Sequence, residues 1–249
     1  MFAVLLALAL VFAFVACGEK EPQKPEVDFT KSEGTMTYAE FMAAEVDAPV
    51  VIEAFVQAKQ VYAAAYGNTS LYLADGDGAY FAYRAVCTQE EYDALTVGTK
   101  VKVTGFKTEW SGEVEIAQGC TFEVVAGDTW TAEAKDLTST FGTEELVNFQ
   151  NQKFTVSGAV VAASKNPDGE DVAFLYNYNG AGEEGSDLYF NVTIGDKPFQ
   201  FLVESDFCGV DTPVYSAVKN LKVGDTIDVE GILYWYNGAN PHVTSVTVK

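Results

Sequence analysis

Positive charge is scarce in this chain: 15 Lys and Arg stand against 36 Asp and Glu, and Arg84 is the only arginine. Nucleic acids are held largely through Lys and Arg that neutralise phosphates, so a pI near 4.2 counts against a polyanion, and nucleic acid is not expected as a partner. The same balance counts against lying flat on an anionic lipid surface. Histidine is nearly absent. His242 is the one copy, with no partner at the spacing of a zinc site, a Ser-His-Asp set or a Cys-His pair. The cysteines form no C-x-x-C, which removes the usual zinc and redox motifs, and no metal or cofactor is expected. Gly180-Ala181-Gly182-Glu183-Glu184-Gly185 has dinucleotide-loop spacing, but it precedes a strand, and its two glutamates would repel a pyrophosphate. Asp75-Gly76-Asp77-Gly78 begins like a calcium loop, yet Val86 stands where the closing Glu belongs. Glycoside hydrolysis needs two carboxylates at a fixed separation in a cleft, and nothing singles out such a pair. The chain therefore reads as non-enzymatic.

Long apolar runs are missing too, except at the start. Met1 to Ala16 carries no charge and stops at Val15-Ala16-Cys17-Gly18, which is short of the roughly 20 residues of a membrane span. An apolar stretch ending in a small residue is the form of an export signal. With cysteine directly after Ala16 it resembles the lipobox of bacterial lipoproteins, although Phe14 stands where that family usually has Leu and no Lys or Arg precedes the apolar run. The resemblance implies cleavage after residue 16, lipidation of Cys17 and a membrane-anchored protein facing the extracytoplasmic side. Cys87, Cys120 and Cys208 then remain, an odd number; Cys87 and Cys120 could pair, or all three could stay as buried thiols. Residues 17–34 mix Glu, Lys, Pro and Ser without apolar periodicity, the composition of a solvated tether.

What the rest contains is one pattern written twice. Val97-Gly98-Thr99-Lys100-Val101-Lys102-Val103-Thr104-Gly105-Phe106 returns as Val223-Gly224-Asp225-Thr226-Ile227-Asp228-Val229-Glu230-Gly231-Ile232, a glycine-started, alternating strand. Around it, each half repeats the same order. A capping box at Thr37-Tyr38-Ala39-Glu40 starts a short helix, and the strand Val50 to Tyr62 is long enough to bend across two sheets. Strands at Leu71-Tyr72-Leu73 and Tyr80 to Tyr83 flank the Asp-Gly turn, and a second capping box at Thr88 opens a helix to Leu95. The second half has a lead-in helix near residues 143–151, a first strand from Phe154 to Lys165 and a middle hairpin at Leu188-Tyr189-Phe190 and Phe199-Gln200-Phe201. A Pro-started helix follows at Pro213, then strands at Thr226 to Tyr236 and His242 to Val248. The order of long strand, hairpin, helix and hairpin resembles the OB-fold, a five-stranded Greek-key barrel.

The expected organisation is all-β with short helices: a signal at residues 1–16, a tether at 17–34, and two tandem OB-like barrels at 35–126 and 127–249. Residues 127–136 lack a Pro or Gly run and read as a docked connection. From residue 35 onward the chain is similar to the tandem OB-fold lipoproteins of anaerobic bacteria, most specifically in Gly34-Thr35-Met36-Thr37-Tyr38-Ala39-Glu40-Phe41 and Tyr234-Trp235-Tyr236-Asn237-Gly238. That resemblance adds no catalytic residue.

Aromatics mark the candidate ligand surface. In OB-folds the second and third strands, with the first and last hairpin loops, face the ligand. In the second copy this draws on Tyr176, Tyr178, Tyr234, Trp235, Tyr236 and Asn237, and in the first on Tyr66 and Trp110, with Tyr62 and Tyr72 nearby. Aromatics with Asn and few cations suit a glycan or a protein segment. The leading expectation is thus a binding or adaptor lipoprotein for such a ligand. The alternatives are a nucleic-acid-binding OB module of a secreted nuclease or uptake system, and an extracellular hydrolase. The long loop and the aromatic hairpin belong to the second copy alone, so the site is expected there.

Overall fold

In the computed structural model, which describes residues 27–249, the β-branched and apolar runs fold as strands that close into two five-stranded barrels, as expected from the sequence. The expectations for Met1 to Ala16 and for Cys17 lie outside the described residues. Barrel one is built from β1 (Pro49–Lys59), β2 (Asn68–Ala74), β3 (Ala79–Val86), β4 (Lys100–Trp110), β5 (Glu113–Ile116) and β6 (Thr121–Val124). β1 pairs with β4 through Phe55 and with β2 from Phe55 onward, bending at an irregularity between Val56 and Ala58. β5 and β6 act as one broken strand, and each pairs in parallel with β3 to close the barrel.

A short strand β7 (Lys135–Asp136) leads into barrel two, made of β8 (Lys153–Ala162), β12 (Leu188–Ile194), β13 (Lys197–Val203), β14 (Thr226–Trp235) and β15 (Ala239–Val248). Between β8 and β12 lie the small pieces β9 (Ser164–Lys165), β10 (Asp171–Val172) and β11 (Leu175–Tyr176). The ring closes through β8–β12, β13–β15 and β14–β8. Helices α1 (Tyr38–Ala43) and α2 (Gln89–Ala94) each open on a capping box, at Thr37 and Thr88, in which hydroxyl and carboxylate satisfy end N–H groups reciprocally. α3 (Pro213–Lys219) has Thr212 as its cap and proline in its first turn.

The repeated glycines do the same work in both barrels. Gly98 and Gly224 take φ of +89° and +93°, a region open to glycine, and donate N–H to Val56 and Val161 of the first strand at 2.7 and 2.9 Å. Gly105 and Gly231 sit where the fourth strand meets the closing strand. A Cβ there would stand 2.7 Å from the Cys120 side chain in one barrel and 2.4 Å from the His242 carbonyl oxygen in the other.

Each barrel buries its own core, around Ile52, Leu71, Leu73 and Val103 in one and Phe154, Phe190, Phe201 and Val229 in the other. A third cluster, Ala58, Tyr72, Phe81 and Ile232 with Tyr83, Phe207 and Tyr234 against it, joins the two barrels. The connection between them is docked: Trp130 packs edge-on to Phe29 and Phe55, and Ala132 N donates to Gln57 Oε1 at 2.8 Å. The last part of the polar stretch expected as tether also lies on barrel one, because Phe29 enters that aromatic group and Lys31 pairs with Asp75 at 2.5 Å. Asp75 caps its own turn by accepting from Asp77 N and Gly78 N. Cys87, Cys120 and Cys208 are buried and free, so the optional pairing of Cys87 with Cys120 is not formed. Burial pushes the Cys120 thiol up to about 12 and Cys208 to about 11, leaving both inert.

Candidate functional site

β2 and β12 are the same strand in the two copies, with Tyr72 between Leu71 and Leu73, and Tyr189 between Leu188 and Phe190. Alternation turns both tyrosines away from their barrel cores. Tyr72 then lies fully buried beneath barrel two, where its hydroxyl is 2.7 Å from His242 Nδ1. The outer face of β2 and β3, the face that OB-folds in general turn to a ligand, is thus partly used to dock the barrels. Tyr189 remains only half-buried and lines an open groove.

That groove runs along the seam as two adjoining hollows of about 540 and 490 Å³ that share Tyr189, Tyr236 and Asn240. Barrel one contributes Tyr66, Tyr83, Arg84 and Asn68 to it, and barrel two contributes Tyr178, Tyr234 and Gln200. Tyr66 is 74 % exposed, Tyr178 67 % and Tyr236 51 %, so their ring faces are free to stack on a ligand. Tyr234 is held more firmly, its ring centroid 5.3 Å from Phe81 and 4.7 Å from His242.

Arg84 is the only arginine and the one permanently charged cation on the lining. It is aimed by a β-bulge, in which Tyr83 and Arg84 together oppose Ser70 between the pairs Thr69–Ala85 and Leu71–Ala82. Arg84 takes φ of +47°, an uncommon conformation for a long side chain, and its N–H donates to Ser70 Oγ at 3.3 Å. The guanidinium carbon lies 4.9 Å from the Tyr83 ring centre and 5.9 Å from that of Tyr66. Bulges with strained backbone recur beside functional sites, where they redirect a side chain.

The groove floor is polar and largely satisfied. Gln60 donates to Glu204 at 2.8 Å, and His242 Nδ1 stands 3.1 Å from Glu204 Oε2. Burial works to raise Glu204, but His242 and Gln60 outweigh it and hold the carboxyl below the usual range. Nearby, Asp206 is pushed upward by burial and then by the carboxylates of Glu204 and Asp187. Burial, with Asp187 second, lifts the Tyr189 hydroxyl to about 12, so it meets a ligand as a neutral donor and acceptor.

Of the sequence candidates, Tyr66, Tyr178, Tyr234 and Tyr236 come together in the groove, and four do not. Tyr176 lies on the two-residue β11, edge-on to Phe174 and against the barrel-two core. Trp235 alternates inward onto the same core and beside Gly112. Asn237 turns the last hairpin at φ of +54° and donates its backbone N–H to Ser111. Trp110 is 61 % exposed at the end of β4 but is not part of the lining. Tyr176 and Trp235 therefore do not join Tyr178 and Tyr234 on one open surface, and the groove belongs to both copies instead of the second alone. Sequence reasoning missed Tyr83, Arg84 and Tyr189. Tyr189 had a signal in the alternation of β12, and Arg84 stood out as the only arginine, without a mark of its direction.

No known protein family matches the chain, and no curated protein does. Among solved structures, the Ifi202 HINa domain in complex with 20-bp dsDNA is 12 % identical, with 82 % of this chain and 96 % of that one covered and a TM-score of 0.34. The p202 HIN1 domain with a 12-mer dsDNA is 12 % identical over 82 % and 92 %, at 0.34. A replication protein A heterotrimer bound to ssDNA is 11 % identical over 82 % and 49 %, at 0.30. No residue correspondence follows at this distance. The expectation of a glycan or protein-segment ligand, with nucleic acid not expected as a partner, is not upheld: Tyr176 and Trp235, two of the aromatics that carried it, pack on the barrel-two core, while the solved structures above are described with DNA.

Proposed function

We propose that this protein is a non-enzymatic nucleic-acid-binding module that seats a short single-stranded segment in the groove between its barrels. The observation that carries the reading is the strained Arg84, aimed by a bulge onto Tyr83 and Tyr66 at the mouth of a tyrosine-lined groove. Base stacking on aromatic rings contributes about 1–3 kcal/mol per base and tolerates any sequence. The net charge of −21 is reconciled with this reading by the groove chemistry. One guanidinium serves about one phosphate, and rings and amides take the bases. A duplex, which presents phosphates and hides its base faces, fits such a groove poorly. The sequence ending in Cys17 supports anchoring of the module by lipid on the extracytoplasmic side.

Fluorescence anisotropy with a labelled single-stranded 12-mer of mixed sequence and with its duplex tests the proposal. Single-strand binding is expected, with a log–log salt slope near −0.7, the value for one phosphate contact. Tyr66→Ala is expected to weaken it about tenfold, since a stacked base is lost. Absence of single-strand binding at low salt would overturn the reading, as would a duplex preference.

A further inference from the structure

The groove carries acceptors where a phosphate track would carry cations. Asp187, Glu204 and Asp206 line it together with the tyrosines, and they crowd one corner closely enough to act on one another electrostatically. Glu204 is already engaged by Gln60 and His242. Asp187 accepts from Ser205 N and Ser205 Oγ at 2.8 and 2.7 Å, both through Oδ1, so the turn at Ser205 fixes this carboxylate while its second oxygen is left for a ligand. Asp206 is exposed, and it is anchored through its backbone oxygen, which accepts from Val61 N at 2.7 Å.

We infer that the groove selects bases with an exocyclic amino group over thymine or uracil, with Asp187 and Asp206 accepting from that amino group and Arg84 holding the flanking phosphate. The inference rests on the nucleic-acid reading above. Its chemistry is that of the pyrimidine edge. Cytosine offers an N4 amino donor, which a carboxylate accepts, whereas uracil and thymine place the O4 acceptor at the same position. Two acceptors facing each other in a partly desolvated groove repel, and neither is satisfied. A ring stacked among Tyr189, Tyr234 and Tyr236 gains equally from cytosine or uracil, so stacking sets affinity and the carboxylates set preference. Arg84 stands apart from this in role. A guanidinium presents a fork of donors that matches phosphate oxygens.

The test is competition. A labelled single-stranded 12-mer of mixed sequence is displaced from the whole protein by unlabelled oligodeoxycytidylate or oligodeoxyuridylate of eight nucleotides, two strands that differ only at the base edge. The cytidylate is expected to compete about tenfold better. Asp187→Asn keeps the Oδ1 acceptor for Ser205 but replaces the second oxygen with a donor, and together with Asp206→Asn it is expected to bring the ratio close to one. Asp93→Asn on the exposed α2 removes one negative charge away from the groove, and it is expected to shift both strands alike and preserve the ratio. Equal competition by the two strands in the unaltered protein would sink base selection while leaving the nucleic-acid reading intact. So would a tenfold ratio that survives the double substitution. Failure of the 12-mer itself to bind would instead remove the reading on which the inference stands.

Discussion

β2 and β12 begin from nearly the same instruction and end in opposite places. Each has a tyrosine between two apolar residues, yet every residue of β2 is buried while β12 alternates between buried and half-buried. The difference is the neighbour. Barrel two lies on the outer face of β2, and groove solvent lies on the outer face of β12. A duplicated module has two copies of each outer face, and this protein docks its barrels on one while the other lines the groove. The tyrosine of the first copy became part of a small third core, and that of the second became groove lining.

The sharpest way to break the comparison is to remove the two tyrosines in turn. Tyr72→Ala deletes a fully buried ring and its hydroxyl partnership with His242, and a loss of about 3–5 kcal/mol in urea unfolding is expected. Tyr189→Ala is expected to cost about 1 kcal/mol at most, because the ring is already half in solvent, while weakening single-strand binding about tenfold. Equal stability losses would mean that the two faces are not differently employed.

The pattern of each strand was legible in the sequence, and the assembly was not. Alternation around Leu188-Tyr189-Phe190 and Leu71-Tyr72-Leu73 gives the direction of both tyrosines, and the Val-Gly landmarks give both barrels. What covers Tyr72 is a residue set more than a hundred positions away, Phe207, Ile232 and His242, and no local period encodes it. Arg84 was visible as the only arginine, but its direction depends on a bulge opposite Ser70 that leaves no compositional mark. Trp235 shows the converse. Its alternation opposite Tyr234 was readable, yet which of the two faces met the core required the closed barrel.

A smaller effect separates the two sides of the seam through pH. Glu113 and Glu115 of β5 are buried where barrel one meets barrel two. Asn151 Nδ2 and Trp235 N, both from the second half of the chain, donate to Glu113. Burial raises Glu113 to about 8 and Glu115 to about 7, against an ordinary 4.5. Above pH 4.5 the unfolded chain has released these protons and the folded one still holds them, so stability falls as pH rises, until each group ionises in the folded state as well. Glu204, on the barrel-two side, works oppositely. Its carboxyl is lowered, so its contribution is present above the ordinary pKa and lost as pH falls through the depressed one. Urea midpoints are thus expected to decline from pH 5 to pH 8. Glu115→Gln is expected to flatten that decline by about 2 kcal/mol, since burial is the cause of the Glu115 shift and a neutral amide has no proton to release. A midpoint that rises over this range would mean that the seam is wetter than its burial indicates.

The smallest contrast lies in the helices that bridge the third and fourth strands of each barrel. α2 buries none of its six residues and rests on its cap, where Thr88 Oγ1 accepts from Glu91 N at 3.2 Å and Glu91 Oε2 accepts from Thr88 N at 2.7 Å. α3 buries Val214, Tyr215 and Val218 against its barrel, and Thr212 Oγ1 accepts from Tyr215 N at a longer 3.4 Å. A short helix without a buried face depends more on its cap, although Lys59 donates to the Tyr92 carbonyl and Tyr62 lies beside the Tyr92 ring, whereas packing and the preset φ of Pro213 hold the other. Thr88→Ala is therefore expected to cost about 1 kcal/mol and to speed amide exchange at Tyr92 and Leu95, whose N–H groups donate to Thr88 and Glu91 carbonyls. Thr212→Ala is expected to cost half as much or less, with exchange at Ser216 nearly unchanged. If the two substitutions instead have equal effects, helix stability in this protein follows the cap alone, and the buried face of α3 adds nothing to it.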